Sequence, residues 1–189
     1  NVIISAGFNQ IFSKDFIKSI NCLWLNLHAG ELPYMRGSSP LNWALIKGHK
    51  YVKINILKLN EGIDSGDLIE TKKIKLNENT TIKNLHDLAN KLFPDMLISV
   101  LNNFSKNKLN FKKQNLKYSY YPKRFIEDGF ILFDQNDVKS LHNKIRALSD
   151  PYPNAFTYFN KKKIYLKKSV LLKNNYYGEP GRIYIIKEK

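Results

Sequence analysis

The sequence predicts an α/β fold of the doubly wound kind, a parallel sheet with helices between its strands, followed by a small β-rich module. Short uninterrupted apolar runs such as Val2-Ile3-Ile4 alternate with segments whose apolar residues recur at helical spacing. Gly, Pro, Ser and Asp cluster between these segments, at residues 30–40 and 61–67 above all. Past Pro151 and Pro153 the helical period gives way to short strand-like stretches.

Residues 2–5 form an apolar run with no lead-in, which reads as an internal strand buried on both faces. Residues 13–20 suit a short helix with Ser13 as N-cap and Phe16, Ile17 and Ile20 on its apolar side. A second buried strand, residues 22–27, runs straight into His28, and Cys22 within it reads as a buried structural thiol. Pro40 fits the first turn of a helix that continues through Lys47 and stops at Gly48. Residues 51–59 form a third strand, and 68–76 a fourth that alternates enough to lie near an edge. Residues 80–104 are strongly helical in period, with Pro94 marking a kink or break.

The Lys- and Asn-rich stretch 105–117 closes this unit, so the chain divides into 1–117 and 118–189. In the second part, residues 137–148 make an amphipathic helix with Val138, Leu141, Ile145 and Leu148 on its buried face. Residues 155–159, 163–172 and 182–186 read as short strands, with Lys161-Lys162-Lys163 at a solvated hairpin turn.

No apolar run reaches the roughly 18–20 residues of a membrane span, and the first residues lack the pattern of a secretory signal. One cysteine cannot form an internal disulfide, which fits a cytoplasmic protein. The net charge of +15 comes from 31 Lys and Arg against 16 Asp and Glu, and only four of the 31 are Arg. Phosphate and base recognition favour the planar arginine fork. Two explanations therefore stay open: a compositional bias toward Lys, Asn and Ile, or an anionic partner such as a nucleotide-linked substrate or tRNA.

Ligands of open α/β sheets bind beyond the carboxyl ends of the strands. Three polar groups fall there: Gly7-Phe8-Asn9-Gln10, Asn26-Leu27-His28 and Glu61-Gly62-Ile63-Asp64. Alternation along an extended chain puts Asn26 and His28 on one side. An amide, an imidazole and a carboxylate together can stabilise an oxyanion and move a proton. The spacing alone leaves other readings open: His28 as a satisfied structural residue, Asp64 as a turn residue beside Ser65-Gly66, and Phe8 and Trp24 as core.

The run Asn26-Leu27-His28-Ala29-Gly30-Glu31-Leu32-Pro33-Tyr34-Met35-Arg36-Gly37, followed by Pro40-Leu41-Asn42-Trp43-Ala44, resembles the signature of folate-dependent formyltransferases. Glu61-Gly62-Ile63-Asp64-Ser65-Gly66-Asp67 resembles their second signature, and Ala6-Gly7-Phe8-Asn9-Gln10-Ile11 their pterin-holding loop. The resemblance spans residues 1 to about 104 and implies a Rossmann-like sheet of the formyltransferase type, with an OB-like C-terminal module. It implies formyl transfer from 10-formyltetrahydrofolate to a primary amine without a metal. Asn26 would hold the formyl oxygen, His28 would stand beside it, and Asp64 would set the state of His28 and help deprotonate the amine. Asn9, Gln10, Ile11, Phe12, Asn60, Glu61 and Ile63 would line the folate site. Arg36, Lys123 and Arg124 would meet the acceptor.

Glu31 stands where the family usually has Leu, and is expected to point to solvent. Residues 120–131 resemble the segment that joins core and C-terminal domain in this family, and residues 142–159 resemble the nucleotide-linked amino-sugar enzymes more than methionyl-tRNA formyltransferase, so the sugar is the expected acceptor and Met-tRNA the alternative. A folate- or nucleotide-binding relative without turnover is a third possibility, and a homodimer is possible. Relatives of this kind begin with a strand–helix–strand half before the point where this sequence starts. The resemblance thus implies a fragment, short of sheet strands on one side and of the end of its C-terminal module, poorly stable and inactive alone.

Overall fold

The computed structural model describes residues 1–172 and 178–184. Its main sheet has four strands in the order β1 (Val2–Ala6), β2 (Leu23–His28), β4 (Tyr51–Lys58), β5 (Leu68–Lys75). β1 and β2 are parallel, with Ser5 opposite Asn26. β4 runs antiparallel to both β2 and β5. The α/β class holds, but the sheet is mixed rather than parallel throughout. The change of direction falls in the connection after β2. Its only α-helix, α2 (Pro40–Ile46), has seven residues, which rise only about 10 Å. No helix in that connection spans the roughly 20 Å of a six-residue strand, and β4 starts beyond the carboxyl end of β2 and returns beside it, with His28 opposite Asn55.

β1 lies at the sheet edge rather than inside it. Ile4 is 40% exposed and only Ser5 of that strand is buried. The apolar run is as expected, but no strand covers its outer side among the described residues. β5 is the other edge, in keeping with its alternation.

α1 (Lys14–Ser19) begins at Ser13, whose hydroxyl accepts from the Phe16 amide. Gly48, at φ +66°, ends α2 as expected. α3 (Ile82–Ser105) is one continuous 24-residue helix with Pro94 inside it, so the proline does not break it. Its start is a capping box between Thr81 and Asn84. Ile82, Leu85, Ala89, Met96 and Val100 lay its apolar face over Leu25, Val52, Ile54 and Ile56 of the sheet. Cys22 is half-buried just ahead of β2.

β3 (Arg36–Gly37) and β6 (Tyr120–Tyr121) form a short parallel pair that ties the loop after β2 to the segment after α3. α4 (Val138–Leu148) starts at Asp137, which accepts from the amides of Lys139 and Ser140. Ile145 and Leu148 face a second small core with Ile131 and Ala155, but Val138 is 69% exposed because the first turn projects past that core. β7 (Ala155–Phe159) and β8 (Lys162–Leu166) form a hairpin turning at Asn160-Lys161, both at positive φ. The second strand is therefore shorter than expected, ending at Leu166. Residues 182–184 show no strand, and residues 185–186 lie outside the described residues.

α4 is moored to the main core by buried polar contacts. Arg146 donates to the carbonyls of Asn77 and Thr80 and to the Asn143 side chain. Asn42 of α2 donates to the Ala147 carbonyl at 2.8 Å. His142 lies between the Glu78 carbonyl and the Ser169 hydroxyl.

Candidate functional site

A cavity of about 1040 Å³ opens where the loop after β1, the end of β2, the start of α2, the β4–β5 loop and one face of α3 converge. Asn26 and His28 face it from β2, as period-2 alternation requires. Asp64 reaches it although β4 runs the opposite way, because residues 59–67 fold back over the sheet. At Asp64 the backbone is left-handed, φ +46°, a conformation that non-glycine residues adopt at a cost.

The three side chains meet. Asn26 Nδ2 donates to Asp64 Oδ1 at 2.9 Å, and the Gly37 amide donates to Asp64 Oδ2 at 2.8 Å. His28 Nδ1 lies 3.4 Å from the same Oδ2, with both side chains nearly buried, 7% and 12% exposed. A carboxylate with two donors and an imidazole around it is held in one orientation. His28 Nε2 is 2.7 Å from the Met35 carbonyl. A carbonyl only accepts, so Nε2 carries a hydrogen and Nδ1 is the ring nitrogen that faces the Asp64 carboxylate. The imidazole expected beside the formyl oxygen thus turns Nε2 toward its own loop and Nδ1 toward Asp64.

Two residues that sequence reasoning passed over fix this arrangement. Asn55 of β4, 1% exposed, donates to the carbonyls of His28 and Gly30 at 3.2 and 2.6 Å and accepts from Thr71. Gln114 donates to the carbonyls of Asp64 and Gly66 at 2.7 and 2.8 Å. A polar residue amid the apolar positions of a buried strand was a readable signal for Asn55; nothing in the Lys- and Asn-rich stretch distinguished Gln114.

Of the expected folate residues, Asn9, Gln10, Ile11, Phe12, Asn60 and Ile63 line the cavity, while Glu61 does not and pairs with Lys14 at 3.2 Å. Phe8 is no core residue: it is 52% exposed and stacks on Phe12 at 4.7 Å, whereas Trp24 is 4% exposed. Lys123 lines the cavity; Arg36 and Arg124 do not. Arg36 is buried, 6% exposed, with its guanidinium on Gln114 and 4.6 Å from the Tyr118 ring centroid. Arg124 lies 4.9 Å from the Trp43 ring centroid. Its Nε and one terminal nitrogen are buried without a hydrogen-bond partner among the described residues. Burial pushes its pKa down, with Asp128 opposing. Glu31 does not point freely to solvent: it holds Lys53 at 2.9 Å and accepts from the Tyr51 hydroxyl at 3.0 Å, which raises the Tyr51 pKa.

A second polar group lines the cavity from α3 and the loop after α4. His86 Nε2 and the Tyr152 hydroxyl are 3.1 Å apart. Burial lowers the His86 pKa, with Asp87 opposing.

Residues 1–101 match the sequence pattern of the formyl transferase family, and residues 125–189 that of the formyl transferase C-terminal domain. The chain belongs to the formyl transferase family. It is 29% identical over 187 residues to the methionyl-tRNA formyltransferase of Clostridium novyi (strain NT), across 99% of this chain and 60% of that protein. It is 35% identical over 192 residues to the bifunctional polymyxin resistance protein ArnA of Wigglesworthia glossinidia brevipalpis, across 97% of this chain and 28% of that protein. Among solved structures, a sugar N-formyltransferase from Shewanella sp FDAARGOS_354 superposes with a TM-score of 0.75 at 25% identity, over 92% of this chain and 71% of that one. This formyl transferase chain therefore spans about three fifths of the first of these curated relatives. Among the described residues no helix is long and apolar enough to cross a membrane.

Proposed function

We propose that the protein transfers a formyl group from 10-formyltetrahydrofolate to the amino group of a nucleotide-linked sugar. The observation that carries this is the convergence of Asn26, His28 and a clamped Asp64 carboxylate on one cavity. The cavity wall fits the folate: Phe8 offers an exposed aromatic ring backed by Phe12, and the loops at residues 9–12 and 60–63 offer polar edges.

The folate supplies the formyl carbon and, at N10, the leaving nitrogen. The amine nitrogen bonds to that carbon, the carbon–N10 bond breaks, the amine loses a proton and N10 gains one. Asn26 spends one amide hydrogen on Asp64 and has no other side-chain partner among the described residues. Its second hydrogen is available to the formyl oxygen as charge builds there. His28 Nδ1, opposite the Asp64 carboxylate, accepts the amine proton, and Asp64 stabilises the imidazolium. Lys123 in the cavity wall suits the diphosphate of such an acceptor.

A second reading is formylation of Met-tRNA, favoured by the net charge of +15 and by the name of the Clostridium novyi relative. The test is formyl transfer to nucleotide-linked 4-amino and 3-amino sugars and to Met-tRNA, by the wild type and by Asn26→Ala. Transfer to a sugar is expected, with kcat lower by about 10²–10³ in the variant, as for other oxyanion donors. Transfer to Met-tRNA alone would replace the first reading with the second. Folate binding with no transfer would make the protein a binding relative.

A further inference from the structure

We propose that Arg36 and Gln114 form a buried clamp that sets the position of the Asp64 carboxylate, a positioning role for formyl transfer that rests on the function proposed above. The chain of contacts is continuous. Arg36 Nε and one terminal nitrogen both donate to Gln114 Oε1, at 3.2 and 2.9 Å. That bidentate hold fixes the amide so that Nε2 faces the β4–β5 loop. Nε2 then spends its two hydrogens on the carbonyls of Asp64 and Gly66, at 2.7 and 2.8 Å. Every polar atom of the Gln114 amide is thereby used.

The geometry at Asp64 explains why such a hold is needed. Its backbone is left-handed at φ +46°, which a β-carbon disfavours. Left alone, residues 62–66 would relax toward right-handed or extended conformations and carry the carboxylate away from His28 and Asn26. Two hydrogen bonds to the carbonyls on either side of Ser65 oppose that relaxation. Arg36 is adjacent to Gly37, whose amide holds Asp64 Oδ2 at 2.8 Å. One short strand therefore reaches the catalytic loop twice, directly through Gly37 and indirectly through Arg36 and Gln114. Arg36 is itself fixed by burial, by the Tyr118 ring over its guanidinium and by the hydrogen bond its backbone N–H donates to the Ser119 carbonyl. Its charge serves the loop, not the acceptor.

Gln114→Glu tests the clamp. It keeps the shape and the oxygen that Arg36 grips, but sets a carboxylate oxygen against two carbonyls. Two readouts are needed, amide hydrogen exchange and steady-state formyl transfer. In the variant, exchange at the Gly37 amide is expected to accelerate at least about tenfold, while exchange at Met96 and Val100 in α3 stays as in the wild type. kcat is expected to fall about 10- to 100-fold with KM for the folate little changed, the scale of a small misplacement of a reacting group. Arg36→Lys, which keeps the charge and loses the fork, is expected to move Gly37 exchange the same way. Unchanged Gly37 exchange in both variants overturns the clamp, as does accelerated exchange in α3, which would mean general destabilisation. If the wild type transfers no formyl group but Gly37 loosens in the variants, the clamp stands and the proposed function fails.

Discussion

Gly30→Ala should disable the site from behind. Gly30 packs where His28 Nε2 meets the Met35 carbonyl. A β-carbon added there would lie 2.6 Å from Nε2, 2.7 Å from the carbonyl oxygen and 2.8 Å from Pro40 Cβ. Comfortable separations from carbon are about 3.5–4.0 Å, so each neighbour would have to retreat by roughly 1 Å. None of the three is the free end of a flexible side chain. Relief must come from parting His28 and Met35, whose hydrogen bond is 2.7 Å long. An unmade buried hydrogen bond costs about 1–3 kcal/mol and overpacking about as much again. At about 2–4 °C per kcal/mol for a domain of this size, the melting midpoint should drop by several degrees. The imidazole would be displaced by an amount that costs about 10²-fold in turnover. Thermal unfolding by circular dichroism and formyl transfer measured on the same preparation read both effects. A variant with wild-type midpoint and wild-type kcat would refute the packing argument and, with it, the assignment of Nε2 to Met35.

Two further perturbations address the rest of the molecule. His86 is held below its usual pKa by burial, so the folded state takes up its proton less readily than the unfolded one; stability is full above about pH 6.5 and falls as pH drops below that. His86→Gln keeps a partner for Tyr152 and removes the titration, so its melting midpoint should fall less between pH 7.5 and pH 5.5 than the wild type's; equal falls would remove His86 as a cause. Arg146→Met should cost on the order of 3 kcal/mol or more, because the carbonyls of Asn77 and Thr80 and the Asn143 side chain lose a charged donor inside the core. A chemical-denaturation midpoint within error of the wild type would show that Arg146 does not help to moor α4.

How much of this could be read beforehand depends on the kind of signal each feature leaves in the chain. The elements were legible because caps and stops are local: Ser13, Pro40, Gly48, Asp137 and the capping residue Thr81 sit within a residue of where the pattern put the ends. Strand direction was not, because hydrophobic alternation is the same read either way. The connection over residues 29–50 is long enough for either direction. The pairing of Asn26 with His28 follows from period-2 alternation, while Asp64 joins them through a folded-back loop that no periodicity encodes. Buried hydrogen-bond partners are the least legible. Asn55, between Ile54 and Ile56, signals a buried polar residue but not its partners, and only the fold shows it holding the end of β2 at 1% exposure. Glu31, set for solvent by its charge, is instead neutralised by Lys53.

The division drawn at Lys117 separates two stretches of sequence, but the contacts that shape the cavity run across it. The loop after β2 carries His28's partner Met35, Asp64's partner Gly37 and the start of α2. That loop is tied to the C-terminal part by the β3–β6 pair, the Ser119 amide on Pro33, the Ser119 hydroxyl on the Tyr34 carbonyl, the Trp43 indole on the Pro122 carbonyl, and Asn42 on Ala147. A loop of that length without such ties would sample many conformations, and ordering it costs about 1–2 kcal/mol per residue. The C-terminal part meets that cost at the folding stage. The hydrogen bonds that aim His28 and Asp64 are therefore already made in the folded chain, which for the proposed transfer is the condition under which fixed donors and charges lower a barrier.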